Sequence, residues 1–401
     1  MKILHVIHGY PPYYMAGSEV YTYNLTQELS KRNEIHVFTR IENPFMKAYA
    51  VLDETIGSVK VRRINKPRGD YSLQDKYLDG QVDEVYREYL DTLSPDIVHI
   101  QHLSHLSTNI PRISRNEFDM PVVFTIHDFW MFCVRGQLLT PDYKICDGPS
   151  EDVCVSCLRY LHTNPKEYRR YREHMKEVLE SIDYFLAPSE FIRQFYVHMG
   201  IHEEKVLYSP YGFNKHLIRY RKKTYSAGDS IRFGFVGRVI PAKGIHLLLR
   251  SFSMIKDRQG STLAIHGNAG KDRMYLGDIA SDGVEFMGAF DNSDIDHILD
   301  EIDVLVVPSI WYENAPLVIQ EATLKGIPVI TSDIGGMAEL VKDGVNGFLF
   351  RVGDHNDLLE KMERVIEDPT ILNRIVTDPE SIRSIEDDAD FVEGLYRRLL
   401  E

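Results

Sequence analysis

Short apolar runs that end in Gly, His, Asp or Ser alternate with helical stretches along most of the 401-residue chain. This alternation predicts β/α units and parallel sheets. The runs form two series, separated by a polar, basic interval at residues 219–230. The first series is KILHVIHG, EIHVFT, VKVRRI, DIVHIQH, PVVFTIHD and YFLAPS, and the second is IRFGFVG, STLAIHG, VEFMG, DVLVVPS and PVITS. One architecture is therefore predicted twice.

This repetition predicts an α/β fold of two doubly wound domains facing each other across a cleft, and 401 residues also exceed one ordinary core. We predict an N-terminal domain over residues 1–200 and a C-terminal domain over residues 201–380, with the basic interval as the linker. Residues 381–401 are predicted to form a helix that packs back toward the N-terminal domain. Ligands of such sheets bind at the carboxyl ends of the strands, so we expect the site in the cleft.

Composition excludes several classes of protein. With 43% hydrophobic and 26% charged residues, the chain is typical of a folded globular protein, and its net charge of −14 argues against nucleic acid as a partner. No apolar run reaches the roughly 20 residues that span a bilayer. The opening MKILHVIHGYPP indicates a buried strand and a turn and lacks the features of a signal peptide. We therefore expect a cytoplasmic protein, with peripheral contact at the inner face of the membrane left open.

The segment ENAPLVIQE places two carboxylates, Glu313 and Glu321, around a proline. Proline is favoured at the start of a helix and Asn or its neighbour is a good cap before it, so we predict a helix that begins near Pro316. Backbone amides in its first turn would be unpaired donors suited to a phosphate. The predicted donor contacts on this segment are Asn314, Ala315, Pro316, Leu317 and Val318.

A nucleoside diphosphate sugar fits this segment. Its pyrophosphate would lie over the helix start, its ribose hydroxyls would bond to Glu321, and its sugar hydroxyls would lie beside Glu313. The alternative is a solvated helix face with two surface acids. Because Glu321 stands among Val-Ile-Gln and Ala-Thr-Leu, we expect it to be partly buried and to need a partner.

A basic pair precedes this segment in the same half of the chain. In FVGRVIPAKGIHLLLRSF, Arg238 and Lys243 lie between a strand and an amphipathic helix. Two cations on such a loop can neutralise a pyrophosphate and the charge that grows as the sugar departs. Taken alone, each would be read as a surface charge, and their position at a strand end favours the functional interpretation.

Together these motifs resemble the retaining glycosyltransferases of the two-Rossmann-domain (GT-B) architecture, glycosyltransferase family 4. The resemblance rests on a strand followed by GR-x4-K-G, on E-x7-E after a VPS strand end, and on PVITSDIGGMAELV. It implies a hexosyltransferase-type enzyme that retains the anomeric configuration, with Arg238 and Lys243 on the diphosphate, Glu313 on the donor sugar and Glu321 on the ribose. The segment FMGAF, with Met287 and Phe290, would frame the base.

The resemblance also implies a chemistry. No divalent metal or other cofactor would be required for catalysis, and the acceptor would be a saccharide or a lipid-linked molecule in surface polysaccharide or glycolipid assembly. In front-face transfer the departing diphosphate oxygen takes the proton of the incoming hydroxyl, so the protein supplies electrostatics and positioning. The expected catalytic residues are His127, Arg238, Lys243 and Glu313.

The first half contributes a glycine and several histidines. Gly17 precedes a helix that Ser18 is expected to cap, and it would bring backbone close to the donor phosphate. His127 ends the strand PVVFTIHD and would orient the donor sugar or the acceptor; the alternative is a core histidine satisfied by backbone. His102 and His105 are open candidates for the acceptor side.

All four cysteines lie within 25 residues: Cys133, Cys146, Cys154 and Cys157. The spacing C-x12-C-x7-C-x2-C ends in the close pair typical of tetrahedral thiolate sites. We expect a structural zinc ahead of an iron–sulfur cluster, with reduced, unliganded thiols as the open alternative. The cysteines mark an insertion at about residues 131–162, predicted to form a lobe at the acceptor entrance. Arg135 and Gln137 are candidate acceptor contacts there.

Two other functions fit parts of this sequence. A nucleotide-sugar 2-epimerase of similar fold would need acid–base carboxylates near the sugar and no acceptor site. A metal-stabilised adaptor without activity would keep only a degenerate donor site, which the intact basic pair and acid pair argue against. A glycogen phosphorylase-like function is excluded because no cofactor-binding lysine pattern is visible.

Overall fold

The computed structural model describes residues 1–67, 69, 72–270 and 273–401. The chain divides into two compact units. The first contains residues Met1–Phe213 and Arg383–Glu401, and the second contains Asn214–Ile382. The division after Phe213 lies past the expected boundary at residue 200. No helix of the described residues is long and apolar enough to cross a membrane.

The first domain is built on one twisted sheet whose strands follow the spatial order β3-β4-β2-β1-β5-β6-β7-β8. Only the pair β3 and β4 is antiparallel in the described sheet. The central strands are buried on both faces, as their continuous apolar runs predict for a parallel sheet. The strands are β1 (Lys2–Val6), β2 (Glu34–Ile41), β3 (Val51–Ile56), β4 (Val59–Asn65), β5 (Ile97–Ile100), β6 (Val122–Thr125), β7 (Tyr184–Ala187) and β8 (Val206–Tyr208).

Helices connect these strands, and local caps fix several of their ends. Asp79 accepts from the first amides of α2, and Asn164 forms a reciprocal capping box with Glu167 at the start of α5. The helices are α1 (Gly17–Leu29), α2 (Gly80–Leu93), α3 (Ile110–Arg112), which continues into a π-helical turn, α4 (Glu151–Cys157), α5 (Pro165–Glu180) and α6 (Glu190–His198).

The second domain is an all-parallel sheet in the order β11-β10-β9-β12-β13-β14. Its core is formed by apolar strand residues packed against two amphipathic helices, with Phe233, Leu248 and Met362 at its centre. The strands are β9 (Arg232–Val236), β10 (Thr262–His266), β11 (Val284–Gly288), β12 (Val304–Val307), β13 (Val329–Ser332) and β14 (Gly347–Phe350). The helices are α7 (Ile245–Met254), α8 (Arg273–Ile279), α9 (Ile295–Asp300), α10 (Leu317–Lys325), α11 (Gly335–Leu340) and α12 (His355–Glu367).

The interval 219–230, expected to link the domains, is part of the second domain. The Arg221 amide donates to the Lys325 carbonyl over 2.7 Å, and Lys223 Nζ lies 2.9 Å from Asp303 Oδ1. These contacts bind the basic residues to acids and carbonyls of their own domain. The expectation that residues 219–230 link the domains was wrong, because a sequence does not show whether a charged residue is paired within a domain or solvated.

The last helix, α13 (Ile385–Leu400), belongs to the first domain. Its Asp388 is fully buried and accepts from the Tyr21 hydroxyl over 2.9 Å and from the Gly212 amide over 3.1 Å. Arg383 Nη1 lies 3.3 Å from the same carboxyl, whose pKa burial nevertheless raises to about 6. The Tyr396 hydroxyl bonds to His99 of β5. Helix α13 therefore completes the core of the first domain.

Candidate functional site

A close backbone approach positions Lys243 in the second domain. After β9 the chain forms a short 3-10 turn, Pro241–Lys243, and ends it at Gly244 with φ of +71°. A β-carbon at Gly244 would lie 1.8 Å from the carbonyl oxygen of Pro308, at the end of β12. Only glycine permits this contact. The turn that bears Lys243 is therefore held against the strand end that leads to ENAP.

Lys243 meets Glu313 there. Lys243 Nζ donates to Glu313 Oε1 over 2.5 Å, and the same oxygen accepts from Ser309 Oγ over 2.7 Å and from Trp311 Nε1 over 3.0 Å. Glu313 is only 6% exposed. A buried carboxylate with three donors, one of them cationic, is satisfied and fixed in place.

The helix of ENAPLVIQE begins at Leu317, one residue past the predicted start. Its N-cap is Pro316, and no side chain of the described residues caps the helix, so the expectation of a cap by Asn314 or its neighbour was wrong. Proline has no side-chain acceptor, whereas Asn314 lies buried two residues earlier. Among the residues that the structure describes, no side chain therefore caps the amides of Leu317 and Val318, as the expected anion site requires.

A glycine pair, to which the sequence analysis assigned no role, supports this loop. The Gly336 amide, in the first turn of α11, donates to the Glu313 carbonyl over 2.9 Å. A β-carbon at Gly336 would lie 1.4 Å from the carbonyl oxygen of Asn314. The DIGG turn after β13 therefore fixes the backbone of ENAP. Two adjacent glycines, separated from a strand by two residues, were the signal that could have revealed it.

Glu321 is the second acid of the pair, and it lies on the inner face of α10. Its side chain is 8% exposed and makes no hydrogen bond or ion pair within the described part of the chain. Burial raises the pKa of its carboxyl to about 7. The prediction of partial burial is confirmed, and the protein leaves this carboxyl available to a ligand.

The remaining residues predicted for the donor are more exposed. Arg238 lies in the turn after β9 and forms no ion pair in residues 214–270 or 273–382. Met287 is 48% exposed in β11, the edge strand, and Phe290 is half-buried in the loop that follows. β9, which leads to Lys243, lies next to β12, which leads to Glu313, so these two side chains meet. β10 separates β11 from β9, so Met287 lies farther along the edge of the sheet.

In the first domain, His127 is held by side chains rather than by backbone. The Tyr211 hydroxyl lies 2.7 Å from its Nδ1, and its Nε2 lies 2.9 Å from Gln101 Oε1. The amide oxygen can only accept, so Nε2 carries the proton and Nδ1 accepts from the hydroxyl. Burial, helped by repulsion from His102, lowers the pKa of His127 to about 3. His127 is therefore a neutral imidazole with a fixed tautomer.

Sequence reasoning missed two pairs of side chains at the same edge of this sheet. His8 Nε2, after β1, lies 3.2 Å from Glu19 Oε1 on α1. His102 Nε2, after β5, lies 3.3 Å from Asp128 Oδ2, and the Ser104 amide donates to His102 Nδ1 over 3.0 Å. The rings of His8 and His102 are 4.5 Å apart. The sequence offered one signal for these pairs: β1, β5 and β6 are each followed, two residues later, by a histidine.

Gly17 is the exposed first residue of α1. The N-cap is Ala16, and Ser18 donates to Glu19 Oε2 over 2.8 Å, so the expected Ser18 cap was wrong. His105, an open acceptor-side candidate, has φ of +59° in the loop after β5. In the lobe, Arg135 Nε donates to the Leu139 carbonyl over 3.2 Å.

The four cysteines are free, half-buried thiols that line one cavity of about 20 Å³. No three Cys, His, Asp or Glu side chains of the described residues already have the spacing of a metal site. The rest of the wall is mostly apolar, with Phe132, Leu138 and Leu158, and it also includes Arg135 and Tyr168.

Comparison with known proteins follows the same division of the chain. The profile of Glycosyltransferase Family 4 matches residues 15–215, and that of Glycosyl transferases group 1 matches residues 218–378. An uncharacterized glycosyltransferase of Methanocaldococcus jannaschii, MJ1607, is 26% identical over 383 residues, which cover 92% of this chain and 90% of that protein.

Solved structures support the fold. Anabaena Alr3699/HepE in complex with UDP and glucose matches 99% of this chain and 100% of that one, with a TM-score of 0.69 at 19% identity. The apo form of the lipopolysaccharide outer core galactosyltransferase WaaB matches 99% and 100%, with a TM-score of 0.63 at 18% identity. The predicted fold class, two Rossmann-like α/β domains of the GT-B type, is confirmed. Because the first profile matches half of the chain and the second matches most of the rest, the chain belongs to Glycosyltransferase Family 4 and is a glycosyltransferase.

Proposed function

We propose that this glycosyltransferase retains the anomeric configuration and moves a sugar from a nucleoside diphosphate sugar to a saccharide or lipid-linked acceptor, without a catalytic metal. The observation that carries the proposal is the 2.5 Å contact between Lys243 Nζ and Glu313 Oε1 at the carboxyl edge of the second sheet. It joins a cation for the leaving diphosphate to a fixed acceptor for sugar hydroxyls.

The donor's diphosphate would bind where positive charge is available. Arg238 is exposed and unpaired within the described residues, and Lys243 retains donor capacity beyond its bond to Glu313. The amides of Leu317 and Val318 add the positive end of α10. The ribose hydroxyls would donate to Glu321, and Met287 and Phe290 would frame the base.

The contacts of Glu313 favour front-face transfer over a covalent glycosyl intermediate. Three donors on Oε1 hold the Glu313 carboxylate in place and stabilise its negative charge, which makes the carboxylate a weaker nucleophile. In the proposed step the bond from the anomeric carbon to the diphosphate oxygen breaks and the bond to the acceptor oxygen forms on the same face. The acceptor proton passes to the departing diphosphate, whose charge Arg238 and Lys243 stabilise.

The solved neighbours are consistent with this donor and acceptor chemistry. HepE holds UDP and glucose, and WaaB is named as a lipopolysaccharide outer core galactosyltransferase. We therefore propose a role in surface polysaccharide or glycolipid assembly for a cytoplasmic protein, with peripheral contact at the inner face of the membrane left open. For Gly17 and His127 the expected roles stay predictions.

A ligand screen followed by a turnover assay tests the proposal. Nucleoside diphosphates and their sugars should raise the melting temperature, since a ligand that binds only the native state stabilises it. Nucleoside diphosphate should then be released only when an acceptor is added, without Mg²⁺ or Mn²⁺, and NMR of the product should show the donor's anomeric configuration.

The matched variants are Lys243→Met and, as an exposed control in the same domain, Lys256→Met. Loss of one preorganised electrostatic donor costs about 10²–10³ in turnover, so Lys243→Met should lose that much and Lys256→Met almost nothing. A loss below about tenfold in Lys243→Met would count against the proposal. Release without any acceptor product would indicate an epimerase or hydrolase instead.

A further inference from the structure

The cysteine lobe contains a feature that sugar transfer does not use. All four cysteines of the chain line a single cavity of about 20 Å³, although they come from three separate local structures. A cavity of this size holds about one water-sized atom. Four thiols around such a space are the donor set of a tetrahedral site for one soft or borderline cation.

The first of these local structures is the tight turn that bears Cys133. Cys133 begins a turn closed by the Gly136 amide on its carbonyl at 2.7 Å. Backbone groups of Leu138, Arg135 and Gly136 also hydrogen-bond to the Cys133 sulfur. Cationic or amide donors around a sulfur are the usual outer support of a metal-bound thiolate.

The other thiols arrive from a hairpin and a helix. Leu139 and Ile145 form an antiparallel bridge, and the Cys146 amide donates to the Leu138 carbonyl over 2.9 Å directly after it. Cys154 and Cys157 lie three residues apart on α4 and therefore on one face of the helix.

We propose that Cys133, Cys146, Cys154 and Cys157 bind one Zn²⁺ as four thiolates. The thiols are half-buried and not joined in disulfides, so they can turn toward the cavity centre to reach ligand distance. Cys146 Sγ donates to the Gly148 carbonyl over 3.3 Å and would give up that bond to bind the metal. Binding releases their protons and cross-links the hairpin, the turn and α4. An iron–sulfur cluster is disfavoured because the cavity admits one ion rather than several iron and sulfide atoms.

The site would also stabilise the edge of the sheet that bears Asp128. The Phe129 amide donates to the Gly136 carbonyl over 3.1 Å, and the Cys133 amide donates to the Phe129 carbonyl over 2.8 Å. The turn of the first ligand is thus bonded to the residue after Asp128. Removal of the metal should therefore loosen the His102–Asp128 pair without touching the second domain.

Elemental analysis of the full chain, purified without chelator, tests the proposal. We expect one zinc per chain in the wild type, almost none in Cys154→Ser and Cys157→Ser, and full occupancy in Ser156→Ala, an exposed control between them. Cys157→His should keep the metal, because imidazole replaces a thiolate as a zinc ligand. The loss in Cys157→Ser together with retention in Cys157→His would separate ligation from a packing role.

A second measurement covers variants that fail to fold. A chelator should lower the melting temperature of the wild type and expose the thiols to a thiol reagent, and Zn²⁺ should restore both. Protein with little zinc, or with all four thiols reactive in the native state and no response to added Zn²⁺, would overturn the proposal. So would iron in place of zinc, or disulfides detected by mass.

Discussion

The unpaired carboxyl of Glu321 leads to a measurable prediction about stability. Burial raises its pKa from 4.5 to about 7 in the folded protein. A pKa shift of one unit corresponds to about 1.4 kcal/mol, so this group's contribution to the free energy of unfolding should change by about 3 kcal/mol. Because the folded state binds the proton more tightly, that stability is fully present below pH 4.5 and is lost as pH rises through about 7.

The perturbation is Glu321→Gln, which cannot titrate. The difference in unfolding free energy between the wild type and the variant should move by about 3 kcal/mol in favour of the variant between pH 4.5 and pH 8. Urea titrations at several pH values measure it. The chain has two tryptophans, of which Trp311 lies in the second domain, so a Trp130→Phe background makes fluorescence report on that domain.

The control is Glu367→Gln, an exposed glutamate of α12 in the same domain. Its stability should follow the wild type at every pH. Parallel profiles for the wild type and Glu321→Gln, agreeing within about 0.5 kcal/mol across this range, would refute the reasoning from burial. Donor affinity is a separate readout: the proposed ribose contact predicts that Glu321→Gln binds nucleoside diphosphate sugars about tenfold more weakly or worse.

Three further predictions follow from the geometry. Gly336→Ala should displace the ENAP backbone, because its β-carbon would lie 1.4 Å from the carbonyl oxygen of Asn314. We expect the second domain to lose about 3 kcal/mol of stability in urea titrations. Donor binding, measured by calorimetry, should weaken. Asp388→Asn should flatten the pH dependence of first-domain stability between pH 3.8 and about 6, since burial raises the pKa of Asp388 and the native state holds that proton. If the His102–Asp128 pair serves the acceptor side, His102→Phe should lower turnover and leave the donor Kd within about twofold of the wild-type value. An unchanged turnover would exclude that role.

The sequence predicted the parts of this protein that depend on local pattern. Every quoted apolar run forms a strand, and the start of α10 was predicted to within one residue. Three strands were missed: β3 is an exposed edge strand, β8 has only three residues, and β14 is a four-residue edge strand that begins with glycine. Alternation and length are the signals for strands, and these three elements offer little of either.

The site was predicted less completely, because its contacts join distant residues. Lys243 and Glu313 are 70 positions apart, and neither motif alone shows that they touch. The His102–Asp128 pair likewise depends on neighbouring strands placing their ends together. Spacing along the chain indicates which residues are candidates, whereas partners, tautomers and burial arise only from the fold.

The return of α13 to the first domain has a consequence for synthesis. The helix that buries Asp388 against Tyr21 and Gly212 leaves the ribosome only after residues Asn214–Ile382 have emerged complete. Domains generally fold as units during translation. We therefore expect the second domain to fold first on the nascent chain, while the first domain stays incomplete until α13 has emerged.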